Sequence, residues 1–280
     1  MTKIAVIILN YNTSSDCCKC VSFLKRQQEV KLEIIIVDNC SQVDDCNKVK
    51  ILCQEQGCTF IPATENRGYN AGNNIGLRYA ASKDYEYALI ANPDMEFPQT
   101  DYLRKMVDVL KKNKDIVIVG SDIVSPEGRH ENPMKRDDWR NSWGWMRDFF
   151  CKSHVLLNGS YAESNYCAKI SGCCLMVQMN FVRLIGYFDD HVFLFCEEAI
   201  LSRQVEALGK KMFYLAEAKA THRHIKSEKS DPIKRFKHWR DSRIYFIEHY
   251  SRSGFWGSLL EKAAIHFYVG CYMIKKKLKK

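Results

Sequence analysis

A segment rich in glycine and asparagine, ENRGYNAGNNIG from Glu65 to Gly76, carries the strongest chemical signal in the chain. Its three glycines fall at four-residue intervals among four asparagines and an arginine, a composition that disfavours both a helix interior and a strand. Backbone N–H groups, amides and a guanidinium can bind phosphates and sugar hydroxyls, and glycine lets a ligand approach closely. The segment predicts a ligand site; the alternative is a polar loop leading into an ordinary helix.

A short acidic motif follows an apolar run further along the chain. It reads Asn92-Pro93-Asp94, with Glu96 two residues later. Carboxylates at a strand end can hold Mg²⁺ or Mn²⁺, hard ions that take one or two protein carboxylates and leave positions open for phosphate oxygens. Asn-Pro-Asp is also a good turn sequence, so the motif by itself is a weak indication of a metal site. Together with the glycine- and asparagine-rich segment it is a much stronger one.

Glu197 and Glu198 stand at the head of a predicted helix that runs to about Leu208 and is capped by Gly209. A helix N-terminus favours an ionised carboxylate, so one of the pair can serve as a general base. Repulsion between adjacent carboxylates opposes this effect, which leaves the direction of the net pKa shift open. A purely structural role in stabilising the helix dipole is the alternative.

His222 follows the apolar run Met212–Leu215 and is a candidate contact for a metal or a phosphate, with a structural role equally open. The cysteine group Cys17, Cys18 and Cys20 lacks the second pair of ligands that a zinc site requires. With 13 cysteines, an odd number, and no signal peptide at the amino end, we expect reduced thiols in a cytosolic protein.

The elements that must position these residues follow an alternating pattern. Two continuous apolar runs, Ile4–Leu9 and Leu32–Val37, flank a helix-compatible stretch at Cys17–Gln27, which is typical of a βαβ unit buried on both faces. Further strands are predicted at Thr59–Pro62, Tyr87–Ile90, Ile116–Gly120 and Ile170–Val177, and further helices at Asp44–Gln56 and Tyr102–Asn113. Residues 129–166 are weakly patterned and read as a long loop or insertion, a frequent form of functional lid.

Polar residues end these strands, notably Asn10 and Asn12 after the first and Asp38 and Asn39 after the second. In an open parallel sheet the carboxyl edge is where ligands bind. The composition, 46% hydrophobic and 27% charged over 280 residues, is that of an ordinary globular protein. The fold class predicted is therefore α/β, with its site at the carboxyl edge of the sheet.

Positive charge is concentrated at the carboxyl end, where residues 219–280 hold 16 Lys/Arg against 5 Asp/Glu. The apolar stretch Ala263–Ile274 is too short for a bilayer-spanning helix, which needs about 20 residues. Aromatic residues beside a lysine cluster fit a helix lying on an anionic membrane surface. We predict a catalytic domain over residues 1–255 and a basic amphipathic helix over 256–280, the alternative being a terminal helix packed on the domain.

Taken together, these residues resemble the family 2 inverting glycosyltransferases of the nucleotide-diphospho-sugar transferase type, especially the bacterial rhamnosyltransferase-like branch that builds capsule or O-antigen. The resemblance covers roughly residues 4–227 in six ordered blocks, VIILNYN, IVDNCS, the Asn66–Gly76 segment, NPD, SGCCLM and FLFCEE through Gly209. It implies a GT-A fold, a Rossmann-like and mostly parallel sheet flanked by helices.

The resemblance also implies roles for individual residues. Asp38 would recognise the pyrimidine base of the donor, and Glu198 would be the catalytic base with Glu197 in support. Asp94 would bind the metal, joined by His222, although Asn92 stands where many relatives have an Asp. The remaining donor-binding positions would be Asn10, Asn12, Asn39, Arg67, Gly68, Asn70, Gly72, Asn73, Asn92, Gly172 and Cys173.

The activity implied is transfer of a hexose or deoxyhexose, with inversion, from a UDP- or dTDP-sugar to a polysaccharide or lipid-linked acceptor, assisted by Mn²⁺ or Mg²⁺. The expected location is cytoplasmic, peripheral on the inner face of the membrane. A nucleotidyltransferase acting on a sugar phosphate is the alternative, but the residues after the first strand lack the glycine-rich basic loop it would need. Nucleic acid is not expected as a partner, because a nucleic-acid binder would leave the donor-site blocks unexplained.

Overall fold

The computed structural model describes residues 1–134, 161–223 and 231–277, with side chains described as far as residue 272. Its strands are β1 (Thr2–Asn10), β2 (Val30–Asp38), β3 (Thr59–Pro62), β4 (Tyr87–Ala91), β5 (Met95–Glu96), β6 (Ile116–Val124), β7 (Asn165–Cys167), β8 (Cys174–Gln178) and β9 (Lys211–His222). Its helices are α1 (Ser14–Leu24), α2 (Val43–Gln56), α3 (Tyr69–Ser82), α4 (Tyr102–Lys112), α5 (Met179–Leu184), α6 (Glu197–Ala207), α7 (Pro232–His249) and α8 (Gly254–Lys277). Most of the predicted loop at 129–166 lies outside the described residues.

One sheet joins all nine strands in the order β3-β2-β1-β4-β8-β6-β9-β5, with β7 paired to β9. The strands β3, β2, β1 and β4 are parallel, as are β6 and β9. Strand β8 runs antiparallel to both of its neighbours, and β5 and β7 run antiparallel to β9. The predicted α/β class is confirmed, but the sheet is mixed, with parallel pairing concentrated in its amino-terminal half.

Helices cover both faces of the sheet because each presents an apolar stripe to it. On one face α1, α2 and α4 enclose a core that includes Val6, Ile8 and Ile36. On the other face α3, α5 and α6 enclose a core that includes Ile7, Ile35 and Val37. Consecutive residues of β1 and β2 therefore alternate between two buried layers, which explains their uninterrupted apolar runs.

Helix α3 begins at Tyr69, inside the glycine- and asparagine-rich segment, and agrees with the prediction that this segment opens a helix through Leu77–Ala80. Packing against β1 explains how a segment with three glycines can form this helix. A Cβ atom at Gly72 would lie 2.4 Å from Leu9 Cδ1, and one at Gly76 would lie 2.6 Å from Ile7 Cγ2. The glycines lower helix propensity by about 1 kcal/mol each, but they let the helix lie directly on the central strand.

The strand predicted at Ile170–Val177 is shorter in the structure and starts at Cys174. Two backbone N–H groups before it are bound by side chains instead of by a neighbouring strand. Ser171 N–H donates to Asn132 Oδ1 at 2.8 Å, and Gly172 N–H donates to Glu198 Oε1 at 3.2 Å. Residues 171–173 thus form a turn whose backbone faces the side chains of Asn132 and Glu198.

Helices α7 and α8 pack on each other and on the loop before α6. Phe236 of α7 lies with its ring centroid 4.2 Å from that of Tyr272, and Ile265 of α8 is buried with Phe246 of α7 and with Val192. Among the described residues, no helix is long and apolar enough to cross a bilayer. The division of the chain at residue 255 stays a prediction.

Gly68, just before α3, gives the first testable prediction. Its φ is +104°, and a Cβ there would lie 2.3 Å from the backbone oxygen of Phe193. We expect Gly68→Ala to lower the free energy of unfolding more than Gly128→Ala, which also has a positive φ, +79°, but open space around it. The difference should be about 1–3 kcal/mol, the usual effect of overpacking, measured by urea denaturation. Equal losses in the two variants would show that backbone conformation alone requires this glycine.

Candidate active site

One part of the site is built from the carboxyl ends of β1 and β2, where Asn10 and Asp38 are opposite each other in the strand register. Asn10 Nδ2 donates to Asp38 Oδ1 at 2.8 Å, and Asn39 N–H donates to Asn10 O at 2.8 Å. Asn10 is completely buried, so it acts on the site by holding Asp38. Asn12 is exposed at the rim and accepts from Gln42 N–H at 2.8 Å.

A second contact joins β2 to the start of α3. Asn39 Nδ2 donates to Asn66 Oδ1 at 3.2 Å and to Gly68 O at 3.3 Å. Arg67 lies between these two partners in the chain, and its side chain is 58% exposed. Within the described part of the chain, its ion-pair contact is a long one, 3.8 Å to Glu65. The guanidinium is therefore placed at the rim where an anionic ligand can reach it.

The other predicted donor contacts on α3 have scaffold roles in the structure. Asn70 Nδ2 donates to Asp189 O at 2.7 Å, and Asn73 Nδ2 donates to Tyr69 O at 3.0 Å. Asn70, Gly72 and Asn73 are all buried. Asn74, which sequence reasoning did not single out, binds the backbone of Phe188 through both its amide nitrogen and its oxygen. Asn70 and Asn74 thus hold the segment that leads to Glu197. Direct contact of Asn70, Gly72 or Asn73 with a donor stays a prediction.

Asp94 and His222 meet at the carboxyl edge because β5 pairs with β9 and places Met95 opposite His222. Asp94 Oδ1 lies 3.2 Å from His222 Nε2. Two ligand atoms at adjacent positions around one metal ion, each at a bond length of about 2.1 Å, lie roughly 3 Å apart. The distance between Asp94 Oδ1 and His222 Nε2 therefore fits a shared divalent ion. Asn92, in contrast, points its Oδ1 at Tyr69, whose hydroxyl donates to it at 3.1 Å.

Glu131 and Cys173 stand on the other side of the same imidazole. Glu131 Oε2 lies 2.9 Å from His222 Nδ1, and Cys173 Sγ donates to Glu131 Oε2 at 3.6 Å. The ligand atoms of Glu131, Cys173 and His222 all lie within 4.8 Å of one another. Burial alone would lower the pKa of His222, but hydrogen bonds to Asp94, Cys173 and Glu131 outweigh it and raise the pKa to about 12. An ion bound to either nitrogen of this ring would displace the proton on that nitrogen.

The acidic pair lies next to these residues, on the far side of Gly172. Glu198 Oε1 accepts from Gly172 N–H at 3.2 Å, and Tyr69 OH donates to Gly172 O at 2.7 Å. Residues 172–173 thus connect Glu198 on one side with Glu131 and His222 on the other. Sequence reasoning found the acidic pair and named Gly172 and Cys173 as donor-binding positions, although it placed them in a strand. It missed Tyr69, which ties Asn92 to Gly172.

Glu197 has a different environment from Glu198. Its Oε2 is shielded from solvent and has no hydrogen-bond partner among the described residues. Burial, and then repulsion from Glu198, raise the pKa of Glu197 to about 8. The carboxylate of Glu198, in contrast, has a partner, since its Oε1 accepts from Gly172 N–H. With Glu197 neutral, Glu198 is the carboxylate of the pair that is placed to accept a proton.

This shift makes stability depend on pH. Between the ordinary pKa of 4.5 and about 8, folded Glu197 keeps a proton that the unfolded chain releases, so this residue lowers stability as pH rises. Glu197→Gln removes the effect. We expect the free energy of unfolding of the variant, relative to the wild type, to increase by more than about 1.4 kcal/mol from pH 5 to pH 8 in urea titrations. Parallel pH profiles would contradict the buried, neutral state of Glu197.

Comparisons with known proteins identify the class of this fold. The glycosyl transferase family 2 model matches residues 5–168. A mannosyltransferase from Pyrobaculum calidifontis, PcManGT, solved in complex with GDP-Man and Mn²⁺, superposes with a TM-score of 0.60 at 17% identity, covering 88% of this chain and 64% of that one. GalNAc-T7, solved with UDP, GalNAc and Mn²⁺, superposes with a TM-score of 0.63 at 13% identity, covering 88% of this chain and 50% of that one. The architecture is that of the GT-A glycosyltransferases.

The chain belongs to glycosyl transferase family 2. A curated relative, the low-salt glycan biosynthesis hexosyltransferase Agl10 of Haloferax volcanii, is 26% identical over 201 residues, which are 71% of this chain. The match spans 60% of the length of that relative. The family and the GT-A fold expected from the sequence are thereby confirmed.

Proposed function

We propose that this protein transfers a hexose or deoxyhexose from a nucleotide-diphosphate sugar, UDP- or dTDP-linked, to a hydroxyl of a growing surface polysaccharide or lipid-linked oligosaccharide. The observation that carries the proposal is the placement of Glu198 and the Asp94–His222 pair on either side of the Gly172–Cys173 turn. A carboxylate base and a candidate metal site meet there at the carboxyl edge of the sheet. Family membership and the hexosyltransferase relative support the same activity.

In the proposed reaction, Glu198 accepts the proton of the acceptor hydroxyl as its oxygen attacks the anomeric carbon. Attack occurs on the face opposite the nucleoside diphosphate, so the configuration inverts in one displacement. Glu197 stays neutral, so Glu198 is the residue of the pair that accepts the proton. Asp94 and His222 would hold the divalent ion, Mn²⁺ or Mg²⁺, which when bound supplies positive charge to the leaving diphosphate. Arg67 at the rim adds a second positive group near that charge.

The branch of the family and the biological product come from the sequence resemblance alone. We infer a rhamnosyltransferase-like enzyme of capsule or O-antigen synthesis in a bacterium, while the curated relative belongs to glycan biosynthesis in Haloferax volcanii. A nucleotidyltransferase is disfavoured, since the chain enters α1 at Ser14, four residues after β1, without a glycine-rich loop.

We also propose that the carboxyl end docks on an anionic membrane surface, as expected for a peripheral protein on the inner, cytoplasmic face. Phe255, Trp256 and Phe267 of α8 are 77%, 73% and 70% exposed. They accompany the excess of 16 Lys/Arg over 5 Asp/Glu in residues 219–280. Exposed aromatic side chains on a basic helix are the features that bind a negatively charged headgroup region.

The membrane proposal predicts the effect of a double variant, Phe255→Ser with Trp256→Ser. Each aromatic side chain contributes about 1.5–3 kcal/mol when buried, so we expect the double variant to bind vesicles containing anionic lipid at least tenfold more weakly. Leu184→Ser is the control, because Leu184 is 67% exposed on α5, outside α8. If the wild type, the double variant and Leu184→Ser all sediment equally with the vesicles, α8 is rejected as the docking surface.

Donor specificity is tested by calorimetric titration of UDP-, dTDP- and GDP-sugars in Mn²⁺, in Mg²⁺ and with chelator. We expect one donor to bind in a metal-dependent manner. Binding of none of the nucleotide sugars would refute the proposed donor class, and tight binding of a nucleoside triphosphate with a sugar phosphate would favour nucleotidyl transfer.

A further inference from the structure

We propose that Glu131 is a positioning residue that orients His222 for the metal, an inference that rests on the proposed function. Glu131 lies at the start of the weakly patterned segment 129–166 and belongs to no motif that the sequence analysis recognised. It is nevertheless the carboxylate in contact with His222 Nδ1. Its proposed task is to keep the proton of the neutral ring on that nitrogen, so that Nε2 carries the lone pair that binds an ion together with Asp94.

The imidazole of His222 lies between two carboxylates, with Glu131 at 2.9 Å from Nδ1 and Asp94 at 3.2 Å from Nε2. A neutral imidazole carries one proton, so only one of its nitrogens can bind a metal. When Nδ1–H donates to Glu131, the Nε2 lone pair points toward Asp94. Metal-binding histidines generally have such a hydrogen-bonded carboxylate on the second nitrogen, which fixes both the tautomer and the ring orientation.

The surroundings of Glu131 hold it in place. Its N–H donates to Ile123 O at 2.9 Å, and the neighbouring Asn132 is buried, with Nδ2 donating to Ser121 O at 3.0 Å. Cys173 Sγ donates to the same Oε2 atom that faces His222. The backbone at Glu131 is therefore anchored on β6, and the contact with Cys173 helps to hold its carboxylate against the ring.

The opposite arrangement would place the ion on the Nδ1 side, with Glu131 and Cys173 as ligands and Asp94 as the orienting carboxylate. The observations favour the first arrangement for two reasons. Cys173 is buried and acts as a hydrogen-bond donor, which is the behaviour of a neutral thiol. Hard ions such as Mg²⁺ and Mn²⁺ also prefer oxygen and nitrogen ligands over sulfur.

The test is a Mn²⁺ titration of the full chain, followed through the electron paramagnetic resonance signal of the free ion. We expect Glu131→Ala to weaken Mn²⁺ binding by about 10–100-fold. Glu131→Gln keeps an oxygen that accepts from Nδ1–H, so its Mn²⁺ affinity should be close to that of the wild type. A merely structural role of Glu131 would not require this difference between the glutamine and alanine variants. Glu131→Asp keeps the negative charge on a shorter side chain, farther from Nδ1, so it should also weaken Mn²⁺ binding. This variant provides the test if the alanine variant does not fold. The control is Glu127→Ala, an exposed glutamate on the adjacent turn, which should bind as the wild type does.

Equal Mn²⁺ affinity in the wild type and in the folded Glu131 variants would overturn the inference. A thiolate-to-metal charge-transfer band with Co²⁺ that disappears in Cys173→Ser would also overturn it, because the ion would then lie on the Nδ1 side. No Mn²⁺ binding by the wild type would reject the metal site altogether. If the wild type transfers no sugar but the Glu131 variants still bind Mn²⁺ more weakly than the wild type does, the proposed function is rejected and the role of Glu131 at the metal site is retained.

Discussion

Replacing Glu198 by Gln is expected to slow sugar transfer by about 10²–10⁴-fold, the usual contribution of a general base. The amide cannot accept the proton of the acceptor hydroxyl, but its oxygen can still accept the hydrogen bond from Gly172 N–H, which measures 3.2 Å in the wild type. Folding and donor binding should therefore be unchanged. The measurement is nucleoside diphosphate release with acceptor present, together with calorimetric titration of the donor.

Glu197→Gln is the matched control, because a glutamine has the shape of the neutral acid that burial and the Glu198 charge favour at this position. We expect it to retain most of the activity. Loss of transfer in Glu197→Gln with normal transfer in Glu198→Gln would exchange the roles of the two residues. Loss of donor binding in Glu198→Gln would instead assign Glu198 to the donor site or to the support of the Gly172 turn.

Asp94→Asn is expected to reduce metal-dependent transfer by about 10²–10³-fold, the scale of losing one electrostatic contact to the developing charge. The substitution removes the negative charge but keeps the size of the side chain, so the fold should be preserved. Asp94 is 16% exposed and lies 3.2 Å from His222 Nε2, which makes it the carboxylate placed to share an ion with that ring. The rate should be measured across a Mn²⁺ titration, since a weakened site can be partly filled at high concentration.

Glu96→Gln serves as the control for the Asp94 variant. Glu96 lies two residues away on the same edge of the sheet, but its carboxylate binds Arg223, with Oε2 at 3.2 Å from a guanidinium nitrogen. We expect this variant to keep the metal dependence of the wild type. A normal rate in Asp94→Asn, or an equal loss in both variants, would contradict the assignment of Asp94 to the metal.

The parallel half of the fold could be predicted because strands buried on both faces leave continuous apolar runs, as in β1 and β2. The antiparallel insertion of β8 between β4 and β6 could not, since strand direction leaves no mark in an apolar segment as short as Cys174–Gln178. The helix that opens from the glycine- and asparagine-rich segment could also be predicted, but the close contact of its glycines with the side chains of β1 could not, because local propensity does not contain it.

The candidate site divides in the same way. Asp38 and Asp94 lie at the ends of strands and Glu198 lies in the first turn of a helix, and such positions make these residues recognisable from sequence. Glu131 lies in a segment without regular pattern and reaches His222, 91 residues away in sequence, only through the tertiary fold. Asn70 and Asn74 have the residue type of ligand contacts, yet their amides bind the backbone of Asp189 and Phe188.

The most direct test of the central claim is nucleoside diphosphate release from the donor that binds, measured in the wild type with Mn²⁺, with chelator, and in Glu198→Gln with Mn²⁺. The proposed mechanism predicts release in the first case and loss in the other two, with a product whose anomeric configuration is opposite to that of the donor. Release that persists in Glu198→Gln, or a product with retained configuration, would contradict an inverting transfer in which Glu198 is the base.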